Sequence, residues 1–419
     1  MSVRVVAYIA NEFPSPFEHY VADEIGELRR RGVRVIPCSG RAADGAGWKG
    51  ESEQLREETV CLRPVSAKLA VQAIWVLVCN MGLLSDLWLR LARGREGLRQ
   101  RLHGVAHTLL GAALAVRLRG RGVEHIHAHH GYFASWVAMV AARLLGAEFS
   151  LTLHGSDVLL HGAYLDTKLA NCGFCCTVSE YNRQFILDRY PEVEAGKVVV
   201  QRLGVDVERF TPLPAAERGQ EQRLRLLSVG RLHAVKNHRF LIDACARLEQ
   251  RGIDFECVIA GDGPEREALL RQVRAQGLNG RVRFLGQVER EKLRGYYATA
   301  DLVVLTSRSE GVPLVLMEAM AQGRLVLAPA ITGIPELVDH GKSGLLYREG
   351  SMEDFMARVE EVRRAAPEML ERMRRAGREQ VRSRFNLHTN VEGFGEWFVE
   401  RAGRSEENGQ YENPVLQQI

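Results

Sequence analysis

The sequence predicts an α/β protein with two domains, each built around a parallel β-sheet. Short apolar runs of strand length alternate with helical segments along most of the 419 residues. Many of these runs are apolar throughout, which is typical of strands buried on both faces of a parallel sheet. A chain of this length is also long enough to bury two separate cores.

The first half opens with a βαβ unit. Strands are predicted at residues 3–10 and 33–37, and the helix between them covers 18–31 and stops at Gly32. Further strands are predicted at 123–130, 149–153, 174–178 and 197–201. The start of the chain lacks an apolar core followed by a cleavage site, so we expect a strand there and not a signal peptide. The eight cysteines are scattered among apolar neighbours, which favours reduced thiols in a cytosolic protein.

The second half begins after a polar, turn-rich linker. The domain boundary is expected near 210–222, which gives domains at 1–210 and 211–385. Strands are then predicted at 224–229, 255–260, 282–285, 302–305 and 326–328. From residue 351 the pattern is helical and charged, with helices over 352–384 and 386–401 and a polar tail at 402–419.

The stretch 306–323 is the strongest local candidate for a binding site. It follows a short buried strand, and Pro313 suits the first position of the next helix. The loop offers Glu310, and the N–H groups from Gly311 to Leu314 lie at the positive helix end, where they predict an anion site. Gly311 has no side chain to keep a phosphate at a distance.

Glu310 and Glu318 are eight residues apart, which argues against an acid–base pair. Eight residues of helix separate two side chains by about 12 Å, whereas the two carboxyls of a glycosidase lie about 5–9.5 Å apart. We therefore interpret the two acids as clamps on different parts of one long ligand. An ordinary βα unit with one exposed acid and one capping acid has the same pattern.

A set of short motifs surrounds this stretch. They occur in one order over about half of the chain: Gly230-Arg231-Leu232 with Lys236-Asn237, Gly261-Asp262-Gly263-Pro264, Phe284-Leu285-Gly286, Tyr297 with Ala300-Asp301, the E-x7-E pair Glu310 and Glu318, and Gly333-Ile334-Pro335-Glu336. The ordered set resembles the retaining nucleotide-sugar glycosyltransferases of group 1, or family 4, of the bacterial exopolysaccharide and lipopolysaccharide type. The resemblance implies the GT-B fold, with two Rossmann-like, doubly wound parallel-sheet domains facing a cleft, and a closing helix (386–401) that packs back on the first domain.

Two cations that follow a strand, Arg231 and Lys236, could hold a diphosphate without a metal. Each charge-assisted hydrogen bond contributes about 1.5–3 kcal/mol, although solvated surface charges would look the same in a sequence.

The resemblance implies that Glu310 grips hydroxyls of the donor sugar, that Glu318 binds the ribose, and that His154 acts near the reacting carbon. The catalytic candidates are His154 and Glu310. The donor-binding candidates are Arg231, Lys236, Gly311, Val312, Pro313, Leu314 and Glu318. The acceptor-side candidates are His129, His130 and Asp157.

Two groups of residues suggest metal chemistry as an alternative. Strand alternation places His125, His127 and His129 on one face, where three imidazoles could bind a metal. We favour the interpretation that His129 and His130, at the end of this strand, lie at a ligand site, since the family resemblance implies catalysis without a metal. The CxxC spacing of Cys172 and Cys175 lies in a predicted buried strand, and no second CxxC follows it. We expect no metal and no cofactor apart from the nucleoside-diphosphate sugar.

The segment 61–122 has an unusual charge. It holds ten basic residues and two acids, a net +8 in a chain whose total is +4. An apolar run at 69–84 with Trp75 is short for a membrane span, but an apolar helix flanked by arginines suits contact with anionic lipid. The expected location is therefore the cytoplasm, at the inner face of the cell membrane, with contact through 63–121. Two core-packing helices with solvated arginines remain the alternative.

The function predicted is transfer of a sugar to an acceptor hydroxyl on a glycan or lipid-linked intermediate. The low overall charge does not favour a nucleic-acid partner. Two alternatives stay open: a nucleotide-sugar epimerase or hydrolase of the same fold, and a membrane-associated protein that binds the nucleotide sugar without turnover.

Overall fold

The chain forms two compact units, each with its own sheet. The computed structural model describes residues 5–15, 18–42, 51–160, 162–211, 223–403 and 413–417. The first unit comprises Met1–Val178, Asn182–Gln201 and Val391–Ile419, and the second comprises Ser179–Tyr181 and Arg202–Asn390. Most of the predicted linker and of the predicted tail lies outside the described residues.

Strands and helices alternate in both units. The strands are β1 (Val5–Glu12), β2 (Arg34–Arg41), β3 (Val60–Cys61), β4 (His125–His129), β5 (Glu148–Leu153), β6 (Phe174–Thr177), β7 (Val198–Val200), β8 (Leu224–Val229), β9 (Phe255–Ala260), β10 (Val282–Gly286), β11 (Leu302–Val304), β12 (Leu325–Pro329) and β13 (Leu345–Tyr347). The α-helices are α1 (His19–Arg30), α2 (Glu51–Glu58), α3 (Ala67–Cys79), α4 (Ser85–Arg93), α5 (Leu98–Leu118), α6 (Phe133–Leu145), α7 (Ser156–Leu159), α8 (Leu165–Asn171), α9 (Glu180–Arg189), α10 (His238–Gln250), α11 (Arg266–Ala275), α12 (Arg290–Thr299), α13 (Leu314–Ala321), α14 (Ile334–Leu337), α15 (Met352–Arg364), α16 (Pro367–Arg384), α17 (Leu387–Gly403) and α18 (Pro414–Gln417). Short 3₁₀ turns lie at Ala195–Lys197 and Ala234–Lys236.

Both sheets are parallel, which confirms the predicted fold class. The first has the strand order β3-β2-β1-β4-β5-β6-β7, and the second has the order β10-β9-β8-β11-β12-β13. In each sheet the order reverses beside the first strand, between β1 and β4 and between β8 and β11. Ligands of Rossmann-like sheets bind outside the carboxyl ends of the strands at this switch point. The switch points therefore direct attention to the loops after these four strands.

Some element boundaries differ from the prediction. The charged helical region predicted at 352–384 is two helices, α15 and α16. Ala365 and Ala366 adopt extended conformations between them, and Pro367 opens the second helix, because proline suits a first helical position and disfavours helix in the residue before it. Strands β3 and β13 were not predicted; with two and three residues they are too short to show a period.

Two tightly packed helices, α5 and α6, form part of the core of the first unit. A side chain at Gly111 would place its Cβ 2.6 Å from the Cβ of Val140, so only glycine permits this approach. The indole N–H of the buried Trp136 donates to Thr108 Oγ1 at 3.0 Å. The aromatic side chains of α17 pack on the same unit, where the ring of Phe398 lies 5.5 Å from those of His127 and Phe174.

Helices α3 and α5 are apolar on their outward sides as well as on their buried sides. We call their exposed apolar residues the outer apolar face. It comprises Val71, Ile74, Trp75 and Val78 of α3 and Leu98, Leu102 and Val105 of α5. These positions recur every three or four residues, so each set forms one stripe along its helix. Trp75 is 54% exposed. Within the described residues, no helix is long and apolar enough to cross a bilayer.

Candidate functional site

In the second unit, the loop between β11 and α13 is organised around Glu310. Pro313 is the N-cap of α13, with φ −76° and ψ 116°, and the helix begins at Leu314, one residue later than predicted. The backbone N–H of Glu310 donates to Thr332 Oγ1 at 3.3 Å. Thr332 has a φ of +45°, a left-handed conformation that is rare for a β-branched residue. The loop after β12 therefore supports the loop after β11.

Lys236 and Glu310 form an ion pair with 2.6 Å between Nζ and Oε1. The 3₁₀ turn that carries Lys236 is held against the loop by the hydroxyl of Thr306, which donates to the carbonyls of Lys236 and Asn237 at 3.0 and 3.1 Å. The N–H of Arg308 adds a bond of 2.8 Å to the carbonyl of Val235. The structure thus brings together a predicted catalytic residue and a predicted donor-binding residue.

Glycines allow these loops to approach one another closely. A Cβ at Gly333 would lie 2.2 Å from the carbonyl oxygen of Gly311, and a Cβ at Gly261 would lie 2.0 Å from that of Gly230. The aliphatic part of Lys236 passes within 4 Å of the Cβ position of Gly230. The loops after β8, β9, β11 and β12 therefore form one backbone-lined region, where an anion can approach main-chain atoms directly.

Arg231 and Glu318 differ in their environment. Arg231 is exposed, and no ion pair involves it within the described part of the chain. Glu318 is only 5% exposed, and one of its oxygens accepts a hydrogen bond of 2.9 Å from the hydroxyl of Tyr297. Glu310 is therefore paired with a cation at the loop, while Glu318 is held by a phenol within the interior.

In the first unit, Asp157 joins the loops that follow β4 and β5. Its carboxylate accepts hydrogen bonds from the backbone N–H groups of Gly131 (2.9 Å), His154 (3.0 Å) and Gly155 (2.7 Å). It also lies 3.6 Å from Nδ1 of His130. Burial raises the pKa of Asp157, but the contact with His130 and the backbone N–H bonds outweigh this effect and hold the pKa well below its ordinary value. Asp157, three residues after His154, thus organises the loops.

Lys168, which was not among the predicted site residues, supports the same loops from α8. Its Nζ donates to the carbonyls of Gly131 (2.6 Å), Ala163 (2.9 Å) and Tyr132 (3.3 Å). Burial lowers the pKa of Lys168 to about 7. A signal for it exists in the sequence, since a lysine beside Leu165 and Leu169 lies on the apolar side of its helix.

His130 and His154 are adjacent but differ in charge. Burial lowers the pKa of His130, yet its contacts with Asp157 and Glu18 raise it overall to about 10. Its Nε2 lies 2.9 Å from Glu18. Burial, followed by the charges of His130 and His129, holds the pKa of His154 well below its ordinary value. At neutral pH the site therefore contains one imidazolium, that of His130, and one neutral imidazole, that of His154. Their ring centroids are 4.5 Å apart.

The histidines of β4 form the predicted row along one face. Both ring nitrogens of His127 contact hydroxyls, those of Ser150 at 2.7 Å and Thr152 at 3.0 Å. Glu24, His127 and His129 offer ligand atoms within 4.8 Å of one another. A metal at this position would have to displace a hydroxyl from His127, so the hydroxyl partners favour a hydrogen-bonded network.

Comparisons with known proteins agree with this architecture. A family described as "Glycosyltransferase Family 4" matches residues 17–209, and one described as "Glycosyl transferases group 1" matches residues 212–380. Together these two glycosyltransferase matches cover most of the chain. The chain is 32% identical to EpsF of Bacillus subtilis, whose glycosyltransferase name is provisional, over 58% of its own length and 65% of EpsF.

The chain is also similar to two further proteins. It is 35% identical to the amylovoran biosynthesis glycosyltransferase AmsK of Erwinia amylovora, over 46% of its own length and 48% of AmsK. The chain thus spans about half to two thirds of these relatives. The structure of HepE from Anabaena in complex with UDP-glucose superposes with a TM-score of 0.67 at 18% identity, over 94% of this chain and 99% of HepE, which is a similarity of fold.

Proposed function

We propose that this protein transfers a sugar from a nucleoside diphosphate to an acceptor hydroxyl during the synthesis of a surface polysaccharide or lipid-linked glycan. The observation that carries the proposal is the Lys236–Glu310 pair at the glycine-lined carboxyl ends of the second sheet. The names of AmsK and EpsF and the UDP-glucose bound to HepE support it.

Each side chain has a task that suits its chemistry. Arg231 and Lys236 neutralise charge on the departing diphosphate, and the amides at the start of α13 assist them. Glu310 orients Lys236 and accepts hydrogen bonds from hydroxyls of the donor sugar, and Glu318 binds the ribose. Retention of configuration and catalysis without a metal belong to the proposal and rest on the family resemblance.

Turnover distinguishes transfer from the two alternatives. With a panel of UDP- and GDP-sugars, a transferase releases nucleoside diphosphate only when an acceptor extract is present. Release without acceptor indicates a hydrolase, and conversion of one nucleotide sugar to another indicates an epimerase. Binding of a nucleoside diphosphate without any turnover would overturn the proposed activity.

Replacing Arg231 by methionine should weaken binding of the preferred nucleoside diphosphate about 10–100-fold. Loss of one charge-assisted bond corresponds to about 1.5–3 kcal/mol. Because Arg231 is exposed, the melting temperature without ligand should stay the same. Calorimetry and thermal unfolding measure the two effects, with Arg251→Met as an exposed control in the same unit. Equal affinity in both variants would remove Arg231 from the site.

The proposal also includes an anionic membrane surface as a partner of the first unit. The outer apolar face exposes Trp75 beside several aliphatic side chains, which is costly in water. Lys68, Arg93, Arg95 and Arg99 are exposed nearby in the sequence, and no ion pair involves them within the described residues. Exposed apolar side chains, with unpaired cations nearby in the sequence, complement the interface of a bilayer that contains anionic lipid.

Replacing Ile74 and Trp75 together by glutamate should reduce binding to phosphatidylglycerol vesicles at least about tenfold. Each large apolar side chain that leaves water contributes about 1.5–3 kcal/mol, and the new charges oppose the anionic lipid. Co-sedimentation with vesicles measures the effect, with Met369→Glu in α16 as a matched control at an exposed apolar residue. Equal binding of all three proteins would contradict membrane contact. A dimer in solution that the double variant abolishes would instead assign the face to a second copy of the chain.

A further inference from the structure

Four side chains of the first unit form a cluster around the ring of Phe133, the first residue of α6. The guanidinium carbon of Arg63 lies 5.4 Å from the centre of this ring. The ring of His107 meets it edge to face at 5.0 Å, and the ring of His103 stacks on His107 at 6.1 Å. We call these four residues the Phe133 cluster. They come from the segment before α3, from α5 and from α6, so tertiary structure brings them together.

The Phe133 cluster carries a positive charge that no acid neutralises within the described part of the chain. Arg63 is exposed, and the side chains of Arg63, His103 and His107 form no hydrogen bond or ion pair with the described residues. Burial and, after it, the positive charges of Lys168, protonated His103 and Arg63 lower the pKa of His107 to about 4. The charges that act most strongly on this ring are thus all positive, which favours an anion as the missing partner.

The Phe133 cluster borders both the loop after β4 and the outer apolar face. Phe133 directly follows Tyr132, whose carbonyl accepts a hydrogen bond from Lys168 Nζ at 3.3 Å. On α5, His103 and His107 are one turn apart, so they form a row along the helix. His103 is the neighbour of Leu102, which belongs to the outer apolar face and is 60% exposed. The row of histidines therefore runs beside the apolar stripe, and a ligand with an anionic head and an apolar chain can contact both.

We infer that the Phe133 cluster binds the phosphate or diphosphate group of an acceptor that carries an apolar chain. Stacking on Phe133 orients the guanidinium of Arg63 and leaves its N–H groups free to donate two parallel hydrogen bonds to phosphate oxygens. A ring N–H of His103 adds a third donor, and the chain lies along Leu102 and the rest of the stripe on α5. The inference rests on the proposed transferase function and specifies the chemical class of the acceptor.

Calorimetry with geranyl diphosphate, a soluble lipid diphosphate, tests the site without any need for turnover. It should bind at least about tenfold more tightly than inorganic diphosphate, because only the lipid also buries an apolar chain. Arg63→Met should weaken its binding about 10–100-fold through the loss of charge-assisted hydrogen bonds. Arg34→Met, at an exposed cation where β2 begins, is the control and should bind like wild type. Leu102→Ser should weaken binding of geranyl diphosphate about threefold or more and leave that of inorganic diphosphate unchanged.

Four results would overturn the inference. The first is equal affinity of Arg63→Met and Arg34→Met for geranyl diphosphate, and the second is equally tight binding of inorganic diphosphate, which would make a free anion the ligand. The third is loss of binding in Lys236→Met but not in Arg63→Met, which would place the diphosphate at the proposed donor site.

The fourth result concerns the headgroups of a bilayer as the source of the phosphate. Arg63→Met should lose no more binding to phosphatidylglycerol vesicles than Arg93→Met, which removes another exposed cation of the same segment. A larger loss would assign Arg63 to the bilayer surface and overturn the acceptor site. The fate of the proposed function is separate: a protein that binds geranyl diphosphate as expected but transfers no sugar would overturn that function and leave the lipid-phosphate site standing.

Discussion

Replacing Asp157 by alanine should lower the free energy of unfolding by about 3–5 kcal/mol, the usual cost of removing one partner from a buried ion pair. The carboxylate accepts hydrogen bonds from three backbone N–H groups and contacts the His130 cation. Without it these donors are buried with no acceptor, and each such group is costly. Denaturant titration at pH 7 measures the loss. Asp188→Ala is the control, since Asp188 is an exposed acid on α9 whose removal should cost less than about 0.5 kcal/mol.

The difference between wild type and Asp157→Ala should shrink in acid. The pKa of Asp157 is lower in the folded protein than in the unfolded chain, where it is about 3.9. The folded state therefore binds fewer protons, and the stabilisation is complete above pH 5 and is lost as the pH falls through 4 towards the folded pKa. Titrations at pH 6, 5, 4 and 3 test the sign. A difference that grows in acid would show that Asp157 does not act as a buried carboxylate.

The sequence predicted best those elements whose own residues form a recognisable local pattern. The strand predicted at 255–260 is β9 as observed, because five of its six residues, all but Glu256, are apolar. Gly311 and the start of α13 were recognised because a glycine loop followed by a helix is a local pattern. β13 was not predicted because Leu345–Tyr347 forms a strand through its pairing with β12, whose residues lie about twenty positions earlier.

Partners in the site were less predictable because they are distant in the sequence. Lys236 and Glu310 were both predicted as site residues, yet no pattern indicates that side chains 74 positions apart form an ion pair. Glu24 looks like an ordinary acid of an amphipathic helix, and only the packing of α1 on the sheet places it beside His129. Sequence patterns thus identified the loops, whereas the hydrogen-bond partners depend on tertiary structure.

Replacing Lys236 by methionine should reduce kcat for sugar transfer about 10²–10³-fold, the usual cost of losing one group that stabilises developing charge. In the proposed reaction the diphosphate leaves beside this ammonium, and methionine keeps most of the length of lysine without the charge. Lys342→Met, in the same unit with its side chain 77% exposed, is the control and should keep full activity. Unchanged turnover in Lys236→Met would exclude Lys236 from leaving-group stabilisation.

Glu310→Gln should separate binding from turnover. The carboxylate, 2.6 Å from Nζ, neutralises Lys236 before a ligand arrives, so the amide should strengthen binding of UDP or GDP about three- to tenfold while transfer falls. Because the two side chains act on each other, their effects on kcat should not multiply. The double variant should lose less than the product of the single losses, with a coupling energy of about 0.5–3 kcal/mol. If the two losses in kcat multiply fully, the ion pair has no shared catalytic role. If Glu310→Gln binds the nucleotide more weakly than wild type, the main effect of the carboxylate is to position Lys236 and not to neutralise its charge.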